Sequence, residues 1–497
     1  MPESHASSWP PPRPSKTHRH GQPAPLLPDD VIVEQILTRV PAAAAVRFQA
    51  VCRAWRAALT SDHFVQAHRR TFVRSDAHPE IVFFAPKPNS RGSRSTAFYK
   101  CKLELTTQQK NGSSSSLDEA TARELVTVDD VRPHDLLPSA ARPCHGLTLL
   151  FQPKPNADEY HVCHLSTAEH VSLPPCTPAK RWIPYRDAPC YRLSSAGLGF
   201  DHVAGKHKVV RLYEDWEKQQ RCEVYGLRSG GWRPLAGPVP LHAARGLDAF
   251  RPPVFLNGCF YWRVDIESRT RFSNQLEAVS SSSTPEPILS LAVDTEKFGW
   301  VRGPEQLTHQ DFHLTELDAS LCAVVDLRHL AEQYELWTWP AGSPAASWSL
   351  RCRIGLASLP RPVRDDLGRG IRVLPLASSF GGKILLATSR HEVHAYDPEK
   401  KSSDVVFSVN DFMSADLGDA GTLLNIFTHE ESVTGVWHRP VAGNDAGRLL
   451  KMKIGSNVLA RRQGQRPKVF AITPELVQLM ICPSMEGFQN IFNMYNN

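Results

Sequence analysis

Residues Val51-Cys52-Arg53-Ala54-Trp55-Arg56 place a thiol, two guanidinium groups and an indole side by side. A cation next to a cysteine favours the thiolate, so Cys52 has one neighbour that a nucleophile needs. Nucleophilic catalysis also needs a base within hydrogen-bond reach and a cleft. This thiol stands between apolar residues at helical spacing, and a small packed hydrophobe is the simpler reading. His161-Val162-Cys163-His164, with His170 nearby, carries the side chains of a zinc site. On a strand, 161 and 163 share one face and 164 takes the other, so two ligands at most converge where structural zinc takes four. Ordinary strand histidines are expected, with no metal and no cofactor.

Other chemistry is spelled less fully. Gly381-Gly382-Lys383 lacks the spacing and hydroxyl of a phosphate loop, Gly197-Leu198-Gly199 lacks a third glycine, and neither G-x-S-x-G nor H-E-x-x-H occurs. Trp232, Trp262, Trp300, Trp337, Trp339 and Trp348 have the rings of a sugar- or base-stacking surface. Their recurrence at matching places favours packing between repeats, with Trp337 and Trp339 on one strand face.

Bulk properties narrow the function classes. The 57 basic and 51 acidic residues leave a net charge of +6, a weak field for 497 residues and no argument for nucleic acid or an anionic membrane. Eleven cysteines, none in a C-x-x-C pair, read as free thiols of a reducing compartment. The opening residues MPESHASSWPPPRPSKTHRHGQPAP hold no apolar signal core, and no apolar run reaches the ~18 residues of a membrane span. The expectation is a soluble chain of the cytoplasm, the nucleus or both, in which the sequon at Asn111 is idle. Residues 1–24 read as a disordered tail, whose Arg13, Lys16 and Arg19 suit a solvated segment better than a nuclear-localisation patch.

From Leu26 the texture is helical. Leu27-Pro28-Asp29-Asp30 starts a helix whose Val33, Ile36, Leu37 and Val40 form one stripe before Pro41 stops it. Val46, Phe48 and Val51, then Trp55, Ala58 and Leu59, mark two further short helices, and Ser61-Asp62 caps a fourth. A unit of roughly 45 residues has too little interior to hide this many apolar side chains. Some of them must face a partner.

Beyond Pro79 the chain is strand-like and repetitive. An apolar strand, a turn, a second strand, a strand ending in Asp or Ser at a turn, and a closing strand recur from Gly146, Gly197, Val254, Leu314 and Ser379. The closing residues Leu173, Trp232, Trp300, Trp348 and Val406 fall at intervals of roughly 50 to 70 residues, a propeller period with loop insertions. Four-stranded blades hide their faces only by stacking round an axis. Residues 422–440 with Lys468-Val469-Phe470-Ala471-Ile472 are expected to share a sixth blade with the strands near 81–105. The alternative is a β-sandwich. The Ser-rich runs 106–120 and 277–284 read as rim loops, the basic stretch 361–372 as a solvated loop that could touch a substrate, and the apolar pattern after 469 is unplaced.

The run LPDDVIVEQILTRVPAAAAVRFQAVCRAWRAALTSDHFVQAH resembles the F-box motif in the form common in plants. Leu27-Pro28, Glu34, Ile36-Leu37, Val40-Pro41, Arg47-Phe48, Val51-Cys52 and Trp55 stand in its register. GLGFD, KHKVVRLY, VFLNGCFYW, ILSLAVDTEKFGW and LTELDASLC resemble the F-box-associated, kelch-like propeller domain. The resemblance implies an α+β multidomain chain: F-box over 25–70, hinge over 71–79, all-β propeller over 80–475, tail over 476–497. It also implies a non-catalytic substrate receptor of an SCF-type cullin-RING ubiquitin ligase. In that role Leu27, Pro28, Ile36, Leu37, Val40, Pro41, Val46, Val51, Cys52 and Trp55 face or support the Skp-type adaptor, and the propeller holds a protein substrate. Ala42 to Ala45 depart from the family mixture, and smaller side chains there imply a weaker adaptor contact. An F-box scaffold that works without ubiquitin transfer is the alternative, and a propeller enzyme would require carboxylates converging on the axis.

Overall fold

The computed structural model describes residues 31–73 and, between 79 and 471, all but 88–94, 104–120, 153–157, 183–190, 265–287, 305–311, 341–346, 414–425, 436–450, 462–468 and several shorter gaps. Leu27, Pro28, both expected tails, the two Ser-rich runs and the apolar pattern beyond 471 lie outside the described residues.

The first apolar stripe does not form one regular helix. A wide turn, Ile32–Ile36, tightens into a 3-10 turn, Leu37–Arg39, and Val40 leaves helical space at ψ 149°. Pro41 is the reason, since its ring disfavours the α region for the residue before it. Three helices follow: α1 (Ala42–Phe48), α2 (Arg53–Leu59) and α3 (Asp62–Val73). Leu37, Ala42, Ala45, Leu59 and Phe64 form their small core.

The remainder is a six-bladed propeller. Blade one begins with β1 (Glu80–Pro86), β2 (Thr96–Lys102) and β3 (Thr121–Val128). Blade two is β4 (Leu137–Pro138), β5 (Leu147–Gln152), β6 (Glu159–His164) and β7 (Glu169–Ser172). A small ribbon, β8 (Arg181–Trp182) with β9 (Tyr191–Arg192), intervenes. Blade three is β10 (Ser194–Asp201), β11 (Lys206–Glu214), β12 (Gln220–Gly226) and β13 (Trp232–Pro234). Blade four is β14 (Val254–Leu256), β15 (Cys259–Arg263), β16 (Ile288–Ala292) and β17 (Phe298–Val301). Blade five is β18 (Phe312–Leu317), β19 (Ser320–Leu327), β20 (Gln333–Trp339) and β21 (Ser349–Gly355), with helix α4 (Arg328–Ala331) in its central turn. Helix α5 (Arg361–Arg369) leads to blade six: β22 (Val373–Phe380), β23 (Lys383–Thr388), β24 (Glu392–Asp397) and β25 (Ser402–Ser408).

The chain then returns to blade one. β26 (Ile426–Thr428) pairs with β1 as the innermost strand, while β27 (Met452–Ile454), β28 (Asn457–Ala460) and β29 (Val469–Ala471) extend the sheet outward. The two ends of the repeat region thus close one blade, and the sandwich alternative is set aside.

The propeller core is a ring of six seams, because successive strand residues point to opposite sheet faces. Ile81, Phe83 and Ala85 pack on Leu385 and Phe407 of blade six, whereas Val82 and Phe84 pack with Leu150 and Cys163 of blade two. Leu149 meets Leu198 and Val209, Val210 and Leu212 meet Phe260 and Trp262, Tyr261 meets Leu321 and Ala323, and Val324 meets Ile384 and Leu386. Each blade is covered on both sides, which is why inner strands such as Ile81 to Ala85 read as apolar runs without alternation. The turn after β10 is closed by Asp201, whose Oδ1 accepts from the backbone N–H groups of Val203 and Ala204 at 3.0 and 2.9 Å.

The glycines of GLGFD serve one of these seams. A Cβ on Gly197 would lie 2.6 Å from Pro253 Cγ, and one on Gly199 would lie 2.6 Å from Phe255 Cε2 and 2.8 Å from Phe260 Cζ. They let blade three press on the aromatic rings of blade four. Gly199→Ala is expected to lower stability by about 1–3 kcal/mol through overpacking, read as a lower melting temperature.

The basic stretch after Leu359 is helix α5 over Arg361–Arg369, not a solvated loop. Val363 and Leu367 sink into the seam between blades five and six. Asp366, on the same buried side, accepts from Thr388 Oγ1 at 3.0 Å and His394 Nε2 at 2.7 Å, and Arg390 Nε lies 2.8 Å away. Arg361, Pro362 and Arg364 face outward and are exposed.

Candidate functional site

The helical unit turns one side to its own propeller. β26 runs out into residues 429–434, which pass between the two domains. Val433 completes the core of Leu37, Ala42, Ala45, Leu59 and Phe64. Pro41 offers no side chain to cap α1, and Glu431 Oε1 accepts instead from the Ala42 N–H at 2.5 Å. That donor would otherwise be one of the orphans of a helix start, and a carboxylate there also suits the helix dipole. Next along the strap, Glu430 Oε1 accepts from Arg69 Nε of α3 at 3.0 Å. His68, fully buried, donates from Nε2 to the Val40 carbonyl at 2.8 Å and ties α3 to the Val40-Pro41 bend.

Propeller charges support the strap from below. His429 Nδ1 donates to Glu80 Oε2 at 3.0 Å, and Lys100 Nζ lies 3.1 Å from Glu80 Oε2 and 3.8 Å from Glu431 Oε2. His164 Nε2 donates to the Ser432 carbonyl at 2.6 Å. Glu80, His429 and Glu431 are close enough together to hold a cation. The Lys100 ammonium already lies against both carboxylates, and in the Asp366, Glu392 and His394 group Arg390 Nε pairs with Asp366 at 2.8 Å. Neither cluster has the chemistry of a vacant metal site.

Burial alone would raise the Glu80 carboxyl, but the His429 hydrogen bond and the Lys100 charge outweigh it and hold its pKa at about 2 against the usual 4.5. Burial likewise opposes the charged form of Glu431, and Lys100, His429 and the Ala42 N–H pull it back down. A carboxylate with a depressed pKa stabilises the fold above its unfolded value and loses that contribution as pH falls towards the folded one. The melting-temperature gap between the parent chain and Glu80→Gln is therefore expected to be full at pH 6 and to shrink as pH drops below 4.5, measured by thermal melts across that range.

The other side of the helical unit is uncovered. Val51 is 62% exposed, Cys52 is exposed, and Ile36, Val40, Pro41, Val46 and Trp55 are half-buried. Trp55 stands edge-on to Phe48, with ring centroids 6.0 Å apart. These residues lie on and beside α1 and α2, where Val40 and Trp55 also pack against the small core. Two members of the sequence set take other roles. Leu37 is fully buried under Val433, so it supports the surface from within. Cys52 is not packed: its Sγ accepts from the Trp55 N–H at 3.4 Å as the N-cap of α2, a place usually held by Ser, Thr or Asp. The alanines that depart from the family mixture also have a different meaning, because Ala42 and Ala45 face the strap. Small side chains there let residues 429–434 approach the helix backbone.

The side chains weighed as zinc ligands diverge, as ordinary strand residues do. His161 Nδ1 bonds Ser172 Oγ at 2.9 Å, Cys163 packs in the seam between blades one and two, and His164 holds the strap. The tryptophans lie in seams: Trp232 donates to the Pro174 carbonyl, Trp348 to the Arg302 carbonyl, and Trp339 stacks on Trp348 beside Tyr261. Sequence reasoning missed Glu80, Lys100, His429, Glu430, Glu431 and Val433 as junction residues. Its only signal was the polar run HEES directly after an apolar strand.

Comparison with known proteins agrees with this division. Residues 25–66 match the F-box domain, and residues 158–360 match the F-box associated beta propeller domain. An F-box/LRR-repeat/kelch-repeat protein of Arabidopsis thaliana is 26% identical over 400 residues, covering 77% of this chain and 93% of its own length. A putative F-box protein of the same plant is 24% identical over 335 residues, covering 66% of this chain and 62% of its own length. Among solved structures, the nidogen/laminin complex aligns with 70% of this chain and 98% of its own at 14% identity and a TM-score of 0.33, too slight a likeness to argue from. Helices and blades stand in the order of the two matched domains, and the chain is an F-box protein, similar to those of plants, with a C-terminal F-box-associated β-propeller.

Proposed function

We propose that this chain is a non-catalytic substrate receptor of an SCF-type cullin-RING ubiquitin ligase: its F-box binds a Skp-type adaptor, and through it cullin, while its propeller binds a protein substrate. The observation that carries the reading is the uncovered apolar surface of Val51, Trp55 and their neighbours on helices whose other side is already occupied by the propeller strap. Apolar surface at the seam of short helices suits the groove of a partner protein.

Topology favours one end of the propeller for the substrate. Hairpin turns of antiparallel blades alternate between the two ends. The F-box sits at the end where β26 emerges and β1 begins, beside the turn before β5 and the turn between β6 and β7. The other end carries the β11–β12 turn with its exposed Trp216, then α4 with its exposed Leu330, then α5. A substrate held there stands away from the adaptor and is presented towards a charged ubiquitin-conjugating enzyme. The receptor then acts by raising effective concentration, with no bond chemistry of its own.

Proximity labelling with the parent chain and with a deletion of residues 25–60, each with and without proteasome inhibition, tests the reading. Partners of the parent are expected to accumulate when the proteasome is blocked. Partners whose abundance is the same under all four conditions would favour the scaffold reading.

A further inference from the structure

We propose that residues 429–434 form a latch that fixes the orientation of the propeller on the F-box, with Glu431 and Val433 as positioning residues. The claim that this orientation matters for ubiquitin transfer rests on the receptor reading above; the latch itself does not.

Three observations converge on the strap. It joins the domains through unlike contacts: the apolar side chain of Val433 in the F-box core, the Glu431 carboxylate on the Ala42 N–H, and the Glu430–Arg69 pair. It is anchored on the propeller side at two points, by the hydrogen bond from His429 N–H to the Glu80 carbonyl at 2.9 Å and by the bond from His164 to the Ser432 carbonyl. It also has no room to slide, since a Cβ on Gly146 would lie 2.6 Å from Ser432 Cβ, at a position whose φ of +80° already calls for glycine. A single covalent linker after α3 would let the F-box swing. A second tether, tight and far from the first in sequence, removes that freedom. Holding two bodies in one geometry converts encounter into a directed approach, which is what presenting a substrate from one side requires.

The Ala42 contact permits a specific test. Ala42 is the first residue of α1, where proline is well tolerated because its missing N–H has no partner within the helix, and Pro41 already has the extended backbone that a following proline needs. Ala42→Pro removes the donor to Glu431 and leaves the helix its own hydrogen bonds. Ala42→Gly keeps the donor. Val433→Asp expels the strap from the F-box core, and Val433→Ile keeps it apolar.

The measurement is the distance distribution between spin labels on cysteines introduced at the exposed Ala57 and Val203, in a full-length chain with Cys52→Ser, with adaptor capture recorded in parallel. A single narrow peak is expected for the parent, Ala42→Gly and Val433→Ile, and loss of that peak to a broad distribution for Ala42→Pro and Val433→Asp. If Ala42→Pro fails to fold, Val433→Asp decides. A narrow, unshifted peak in Val433→Asp overturns the latch. Failure of the parent to capture the adaptor would instead overturn the receptor reading and leave the distance result standing.

Discussion

Val51→Asp is expected to weaken capture of a Skp-type adaptor by more than about 100-fold, because an unpaired carboxylate buried in an interface costs several kcal/mol. In the free chain the same side chain is 62% exposed, so its charge meets water and the fold is indifferent to it. Exposed positions of this kind tolerate substitution within about 0.5 kcal/mol. The melting temperature should stay where it is while binding is lost. Trp55→Ala is expected to weaken capture by roughly 2–4 kcal/mol as well, the range of a buried aromatic anchor. That variant also loses the edge contact with Phe48, and part of its effect then belongs to the F-box itself. Val51→Asp is the cleaner probe, and titration calorimetry with melts of the free chain separates the two effects.

A chain ending at residue 425 is expected to lose the cooperative melt of the whole propeller. It lacks β26, and with it Ile426, which packs in the seam with blade six, and Phe427, which packs in the seam with blade two. Removing large buried side chains costs about 3–5 kcal/mol each, against a total stability of about 5–15 kcal/mol for a typical domain. β1 would also expose an unpaired inner edge, a template for aggregation. The F-box would lose Val433 from its core and the Glu431 cap of α1 in the same step. A chain ending at 471 keeps every described residue and is the proper comparison. Calorimetric melts of the two truncations, with aggregation followed by light scattering, measure the difference.

Both expectations draw on features of different legibility. The blades could be read from the sequence because each inner strand is covered on both faces, so runs such as Ile81 to Ala85 and Leu147 to Phe151 are buried throughout and almost wholly apolar. Closure was legible too, since incomplete strand sets stood at the two ends of the repeat region. The F-box register singled out Val51, which is exposed, and Trp55, which is half-buried against the small core. It could not tell that Leu37 and Ala42 look inward, because a helical stripe does not say which of two partners covers it. Helix α5 hid behind its charges: Arg361, Arg364, Asp365 and Arg369 outnumber the two apolar residues that anchor it. The strap was the least visible. His429 meets Glu80 from 349 positions away and Glu431 meets Ala42 from 389, and polar contacts at such separations leave no periodicity to detect.

The uncovered side of the F-box and the covered one have separate consequences, one for partnership and one for orientation. Partnership is the central claim, and light scattering on a sizing column tests it most directly. Purified parent chain mixed with a Skp-type adaptor is expected to elute as a one-to-one complex, and Val51→Asp as free chain. A parent chain that elutes without adaptor at every concentration tried would contradict the account.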